Sequence, residues 1–171
     1  YSDPTIVGFS HTHLSGTGHS DLGDMLIMPT VGELKLNPGR ASYPGEGYRS
    51  RYNHSTEHAS AGYYEVELED YKIKAQLTAT PRVGIHKYTY PSSDGRIVLD
   101  LNHGIYNYDG KVLWSHLRVE NDTLLTGYRI TNGWARTNYT YFAISFSQPI
   151  KDYGYVDKKK PVYTGFWRRF K

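Results

Sequence analysis

Apolar and polar residues alternate along much of this chain, and a period of two is typical of β-strands with one buried face. The clearest alternating runs are residues 71–79, 83–90 and 140–147. Turn signals separate such runs, at Asp94-Gly95, at Asn121-Asp122-Thr123 between two strand-like stretches, and at Asn132-Gly133. Short strands with frequent turns predict an all-β fold, either an antiparallel β-sandwich or a barrel.

Charge and composition limit the function. The 171 residues carry 20 Lys and Arg against 17 Asp and Glu, a net charge of +3. This balance argues against a nucleic-acid partner held mainly by phosphate neutralisation. The absence of cysteine excludes disulfides, zinc–thiolate sites and cysteine nucleophiles. No run predicts a membrane span. We expect one domain over residues 1–171, and, because the first residue is Tyr1, a processed or excised piece of a longer protein.

The first third of the chain is rich in loop residues and holds the densest group of polar side chains, residues 8–24. If residues 5–13 are extended, His11 and His13 point to the same face. Two such imidazoles can ligate a metal with His19 or Asp21, they can hydrogen-bond a sugar hydroxyl or another loop, or they can serve structural packing alone. The sequence alone leaves these alternatives open.

Two further features of this group are chemically ambiguous. Ser15-Gly16-Thr17-Gly18 is predicted to be a loop of small residues. Either its backbone amides face a ligand, or it simply connects two strands. Its spacing matches neither a P-loop nor a dinucleotide-binding motif. Asp21 and Asp24 resemble a paired acid and base, but their close spacing in a glycine-containing turn favours capping of backbone amides.

A second polar cluster precedes the predicted strand at residues 63–68. His54, Glu57 and His58 fall within five residues of one another. They are able to form a charged hydrogen-bond network or to line a cleft. No catalytic triad follows from their order, because triads are recognised by geometry.

At this point the residues resemble a known family. Residues 8–18, followed by Asp21-Leu22-Gly23-Asp24 and Met28-Pro29, closely resemble a motif of glycoside hydrolase family 92, bacterial exo-acting α-mannosidases. Two later elements agree: His54, Glu57, Ala59 with Gly62-Tyr63-Tyr64, and Leu77-Thr78-Ala79-Thr80 with Arg82, Gly84 and His86. The resemblance covers nearly the whole chain. It departs at Ala61 and Gln76, where Pro and Glu are common.

The resemblance implies a fold and a division of labour. Family members have an N-terminal β-sandwich, supersandwich-like, and a C-terminal (α/α)6 barrel. The barrel carries a general-acid Glu and a general-base Asp, and the reaction inverts the anomeric configuration with calcium present. We therefore expect most of the N-terminal sandwich in this chain, without the barrel, and calcium bound mainly outside it. The family is usually exported, which implies a periplasmic or cell-surface location.

The resulting prediction is an accessory domain whose loops shape a sugar pocket or contact the catalytic barrel. The residues expected to do so are His11, His13, Ser15, Gly16, Thr17, Gly18, Asp21, Asp24, His54 and Glu57. The expected partners are the barrel and mannose-containing glycans, and no catalytic or metal-binding residue is assigned in this chain.

Two other hypotheses remain. The chain is alternatively a free-standing carbohydrate-binding module that stacks sugars on Tyr rings and on Trp114, Trp134 or Trp167. A weaker alternative is a zinc site at His11 and His13 that activates water. Because a sandwich without its barrel exposes strand edges and apolar surface, we also expect the chain to self-associate.

Overall fold

The structure is a computed structural model, and it describes residues 3–13, 23–104, 110–157 and 160–161. These residues form antiparallel strands and two short 3₁₀ helices, Pro44–Glu46 and His54–Thr56, so the all-β prediction is confirmed. In chain order the strands are β1 Thr5–Ile6, β2 Phe9–His11, β3 Asp24–Thr30, β4 Ser50–Arg51, β5 His58–Ser60, β6 Tyr63–Leu68, β7 Ile73–Ala79, β8 Gly84–Thr89, β9 Arg96–Asp100, β10 Val112–Asn121, β11 Leu124–Thr131, β12 Asn138–Ser145, β13 Val156–Asp157 and β14 Lys160–Pro161. None of the helices in the described ranges has the length and hydropathy that a membrane crossing requires.

The chain divides into two compact units. The described residues of Tyr1–His11 and Leu26–Asp100 form unit 1. The described residues of Thr12–Met25 and Leu101–Lys171 form unit 2.

Unit 1 contains two antiparallel sheets and a small β1–β4 pair. The four-stranded sheet has the order β5-β6-β7-β8, with Val66 opposite Ala75 and Leu77 opposite His86. The three-stranded sheet has the order β2-β3-β9, with Met28 opposite Val98. Consecutive strands β5 to β8 form a meander because short turns connect them.

The core of unit 1 lies between these two sheets. Leu26 and Met28 from β3 pack with Leu68 from β6 and Ile73 from β7, and all four are at most 2% exposed. The partly buried Phe9, Tyr88 and Val98 extend this cluster. Glu67 and Lys74 alternate with the buried side chains and are exposed. The period of two in the sequence therefore corresponds to one buried and one exposed face of these strands. The arrangement is a β-sandwich.

One polar group in this core is satisfied within it. Tyr48 is 1% exposed, and its hydroxyl donates to the Asp100 carboxylate at 2.6 Å. Burial, followed by the negative charge of Asp100, raises the pKa of Tyr48 well above its ordinary value. Tyr71 donates to the Tyr48 carbonyl oxygen at 3.0 Å. These bonds allow two tyrosine rings to contribute apolar area without leaving a buried hydroxyl unpaired.

Unit 2 is built on the three-stranded antiparallel sheet β10-β11-β12. The predicted hairpin connection at residues 121–123 is confirmed, since β10 ends at Asn121 and β11 begins at Leu124. The Asn121 side-chain oxygen accepts hydrogen bonds from the backbone N–H and the hydroxyl of Thr123, at 2.9 and 3.0 Å. Such a side-chain turn explains why Asn is used at this position.

Candidate functional site

In unit 2, hydrogen bonds connect Thr12 with Gly23 and Asp24, three residues of the motif at 8–24. The Gly23 N–H donates to the Thr12 carbonyl oxygen at 2.7 Å. The Thr12 hydroxyl donates to the Asp24 carboxylate at 2.9 Å, and the Asp24 N–H donates to that hydroxyl at 3.3 Å. Thr12 and Met25 have φ values of 59° and 58°, an uncommon conformation for non-glycine residues. We call Thr12, Gly23 and Asp24 the loop base, because their hydrogen bonds hold together the two ends of the segment between Thr12 and Gly23.

A buried ion pair supports the loop base. Arg129 on β11 places its Nε 3.2 Å from the Asp24 carboxylate, and the two side chains are 0% and 1% exposed. Thr140 on β12 also donates to that carboxylate, at 3.4 Å. Arg129 in addition donates to the His103 carbonyl oxygen. The Asp24 carboxylate is therefore held by hydrogen bonds and an ion pair within unit 2.

Arg129 was not identified from the sequence, although a signal is present. The inner face of β11 carries Leu125, Gly127, Arg129 and Thr131 at a period of two. A charged residue at an inner position of an alternating strand requires a buried partner. The sequence does not tell which carboxylate this partner is.

His11 is packed in unit 1 against two residues of a later motif. Its ring stacks on the ring of His86 at a centroid distance of 4.9 Å and an interplanar angle of 10°. A Cβ atom on Gly84 would lie 2.8 Å from His11 Nδ1 and closer still to Cε1. Gly84 and His86 thus form a seat for the His11 ring, which explains two residues that the family motif contains.

The electrostatics of this seat favour the neutral form of His86. Burial and the neighbouring His11 lower the pKa of His86 to about 4. His86 Nδ1 lies 2.6 Å from the Tyr88 hydroxyl. With its pKa lowered to this value, the His86 ring is expected to be neutral at pH 7.

The strand that would align His11 with His13 is interrupted. β2 ends at His11, and Thr12 has a left-handed conformation. The condition under which the two imidazoles point to one face, an extended residue range 5–13, is therefore not met. His13 is exposed. In the described ranges, no three His, Asp or Glu side chains group as metal ligands.

His54 and Glu57 form a hydrogen-bond network in unit 1. His54 Nδ1 lies 2.5 Å from one Glu57 carboxylate oxygen, and the Tyr64 hydroxyl donates to the other oxygen at 2.7 Å. The bonds to His54 and then Tyr64 lower the pKa of Glu57. The Asn53 side chain accepts from the Ser55 N–H at 2.9 Å and caps the 3₁₀ helix that carries His54. His58 has no bond to this network among the interactions described.

An open groove of about 420 Å³ lies next to the network. The residues that line it are mainly polar: Ser55, Thr56, Glu57, His58, Glu65, Val66, Glu67 and Lys74. Lys74 Nζ lies 2.6 Å from Glu65, and Gln76 donates to the same carboxylate at 2.8 Å. The bond to Lys74, followed by one to Tyr63, lowers the pKa of Glu65 to about 2. A Glu at position 76, common in the family, would place a second carboxylate beside Glu65, whereas Gln76 supplies a donor.

Half of the predicted site residues have a described geometry. His11, His54 and Glu57 lie in unit 1, and His13 and Asp24 lie in unit 2. Ser15, Gly16, Thr17, Gly18 and Asp21 lie outside the described residues, as does Trp167. The role of all ten in binding remains a prediction.

Comparisons with known proteins agree over nearly the whole chain. The model of the glycosyl hydrolase family 92 N-terminal domain matches residues 1–168. A solved family GH92 α-mannosidase, BT3965 from Bacteroides thetaiotaomicron, is similar both alone and in complex with mannoimidazole. In each case the identity is 47% over 95% of this chain, with a TM-score of 0.88. A GH92 family glycosyl hydrolase, CcMan5, is 25% identical over 95% of this chain, with a TM-score of 0.75.

The same comparisons define how much of each relative is represented. This chain covers 21% and 22% of the two BT3965 chains and 22% of the CcMan5 chain. No curated protein matches the chain. The structural similarity confirms the predicted antiparallel β-sandwich of this family's N-terminal domain.

Proposed function

The chain belongs to glycosyl hydrolase family 92, with the family's N-terminal domain spanning residues 1–168, and from this we propose that it is the accessory β-sandwich of an exo-acting, inverting α-mannosidase. The observation that carries the proposal is the 47% identity to an α-mannosidase that was solved with mannoimidazole. The rest of such an enzyme, a C-terminal (α/α)6 barrel, would be the partner of this domain. Mannose-containing glycans would be the substrate.

In this proposal the segment between Thr12 and Gly23 contributes to the sugar pocket or to contact with the barrel. The loop base supports such a role, because a binding loop needs fixed ends on a rigid support. The buried Asp24–Arg129 pair provides that support. Asp24 therefore acts as an anchor for the segment, and the exposed His13 is the described residue best placed to meet a ligand.

The proton-transfer groups are assigned to the barrel. Hydrolysis with inversion requires a carboxylic acid that protonates the leaving oxygen and a carboxylate that deprotonates water. Three described carboxylates in and beside the two polar clusters are already engaged: Asp24 by Arg129, Glu57 by His54 and Tyr64, and Glu65 by Lys74. This supports a binding and positioning role for the chain.

The same engagement bears on calcium, which prefers several carboxylate and carbonyl oxygens together. These carboxylates are bound to cations or donors of the chain and do not converge as a calcium ligand set. These three carboxylates do not fit a calcium site, and from the family relationship we propose that calcium is bound mainly outside this chain. By family relationship alone we also propose a periplasmic or cell-surface location.

The proposal is tested by activity measurements on two proteins. The 171-residue chain, assayed with 4-nitrophenyl α-mannoside and mannobiose in calcium buffer, is expected to show no turnover. Robust calcium-dependent turnover by this chain would contradict the assignment. In the protein that joins the chain to its barrel, His13→Ala is expected to lower kcat/KM about tenfold or more, by loss of a sugar contact. The matched control is Lys151→Ala, at an exposed residue of unit 2 outside both polar clusters, which is expected to leave kcat/KM unchanged.

A further inference from the structure

One face of the unit 2 sheet carries aromatic side chains on all three strands. The strand register places Trp114, Ile130 and Tyr139 in one cross-strand row. The next row holds His116, Tyr128 and Tyr141. We name the five ring-bearing residues of these rows the aromatic face: Trp114, His116, Tyr128, Tyr139 and Tyr141. Side chains of the opposite face include the buried Arg129, so the aromatic face is the outer one.

Four of the five rings lie in a chain of ring contacts, and most of the aromatic face is exposed. His116 stacks on Tyr128 at 5.3 Å, and Tyr128 lies 5.7 Å from Tyr141. Tyr139 and Tyr141 are nearly parallel, at 10° and 6.5 Å between centroids. Trp114, Tyr139 and Tyr141 are 59%, 56% and 72% exposed. Three strands give the surface a width of about 10 Å, so several large rings are presented to one ligand rather than scattered singly.

The charges on this face complement a neutral ligand. Arg118 and Glu120 continue the outer face of β10, and they pair with each other at 3.2 Å. The face therefore offers no unpaired cationic groove for a nucleic-acid backbone. The two rows are aromatic rather than aliphatic, since the half-buried Ile130 is their single aliphatic side chain. Flat rings with phenolic hydroxyls suit a pyranose, which has an apolar C–H face and hydroxyls at its edge.

We propose that the aromatic face binds a neutral glycan chain by stacking of its pyranose rings. Trp114, Tyr139 and Tyr141 supply the stacking surfaces, and the tyrosine hydroxyls exchange hydrogen bonds with sugar hydroxyls at the ring edges. The proposal is independent of the mannosidase assignment, because it concerns residues outside the motif at 8–24 and needs no turnover. A chain that binds glycan through this face would do so whatever reaction its parent catalyses.

The test is electrophoresis of the 171-residue chain through native gels that contain soluble α-mannan, with β-glucan gels run in parallel. Retention by either polysaccharide is expected. Trp114→Ala and Tyr141→Ala are each expected to weaken the apparent affinity about threefold to tenfold, and together more than either alone. Tyr141→Phe, which keeps the ring, is expected to lose about threefold at most. The matched control is Tyr43→Ala, at a tyrosine of unit 1 that is 57% exposed.

Each outcome decides the proposal. Retention that falls in the Trp114 and Tyr141 variants but not in the Tyr43 variant supports it. Absence of retention, or equal retention in the Trp114 and Tyr141 variants, overturns it. Light scattering on the same samples identifies one other occupant: a dimer that becomes a monomer in the double variant, without glycan retention, would assign the face to a second copy of the chain. Circular dichroism of each variant verifies folding, which these exposed substitutions should leave intact.

Discussion

The two units differ in the polarity of the side chains that they bury. In the described part of unit 1, the buried side chains are mainly apolar, with Leu68 and Ile73 0% exposed. In the described part of unit 2, the buried side chains include the charged residues Asp24, Lys111 and Arg129, all at most 2% exposed. Apolar burial is non-directional and tolerates swaps of similar volume. A buried ion, by contrast, depends on one specific partner.

Because of this difference, the stability of unit 2 depends directly on the contacts that hold the loop base. The ion pair that is buried in the sheet of unit 2 is also the support of the loop base. A change in Arg129 therefore disturbs the packing of the sheet and the ends of the motif segment together. In unit 1 the apolar core is formed by Leu26, Met28, Leu68 and Ile73, whereas the seat of His11 is formed by other residues.

The largest expected effect comes from breaking the ion pair. Arg129→Met leaves the Asp24 carboxylate buried without its cation, and we expect the free energy of unfolding to fall by about 3–5 kcal/mol. Urea denaturation of the 171-residue chain measures this loss. In the double variant Asp24→Asn with Arg129→Met, no buried charge remains at the pair, so part of the loss should be recovered. Equal destabilisation in the single and double variants would show that the pair contributes packing rather than charge compensation.

Much of the sheet architecture was predictable from the sequence, because alternation is a local property. The alternating runs at 71–79, 83–90 and 140–147 correspond to β7 Ile73–Ala79, β8 Gly84–Thr89 and β12 Asn138–Ser145. Strands of two or three residues in the first third, such as β1 and β2, are too short to show a period. The division into two units is not marked by the alternation either.

The candidate site was predictable only as far as residue types go. Asp24 and His11 were identified from their motif, but their partners Arg129 and His86 are distant in the sequence. Nothing in local spacing states that Arg129 faces Asp24, since such pairing is decided by the tertiary fold. The network of His54 and Glu57 was within reach because its members are three residues apart. The left-handed Thr12, which ends the extended run, carries no sequence signal that would predict it.

A smaller effect is expected in the His11 seat of unit 1. Gly84→Ala places a methyl group against the His11 ring, and we expect a loss of about 1–3 kcal/mol from the overlap. Gly45→Ala is the matched control, because a Cβ there has no atom within 4 Å and should leave stability nearly unchanged. Thermal unfolding of both variants compares them. Equal melting temperatures would show that the His11 ring moves away from β8 at no cost, and that its packing on Gly84 does not contribute to stability.

The smallest expected effect concerns pH, because the His11 seat of unit 1 buries the titratable ring of His86. The pKa of His86 is lowered from 6.5 to about 4, chiefly by burial and then by His11. The unfolded chain therefore binds a proton between these two values when the folded chain does not, and stability is lost as the pH falls from about 6.5 to about 4. Since the ring is partly solvated, we expect this loss to amount to about 1–2 kcal/mol rather than the full value of the shift.

His86→Phe keeps the stack on His11 and should remove this part of the pH dependence in urea denaturation at pH 7 and pH 4.5, whereas His58→Phe, at an exposed position, should not. If both variants show the parent's pH dependence, the acid sensitivity of the protein lies in its carboxylates and not in this buried ring.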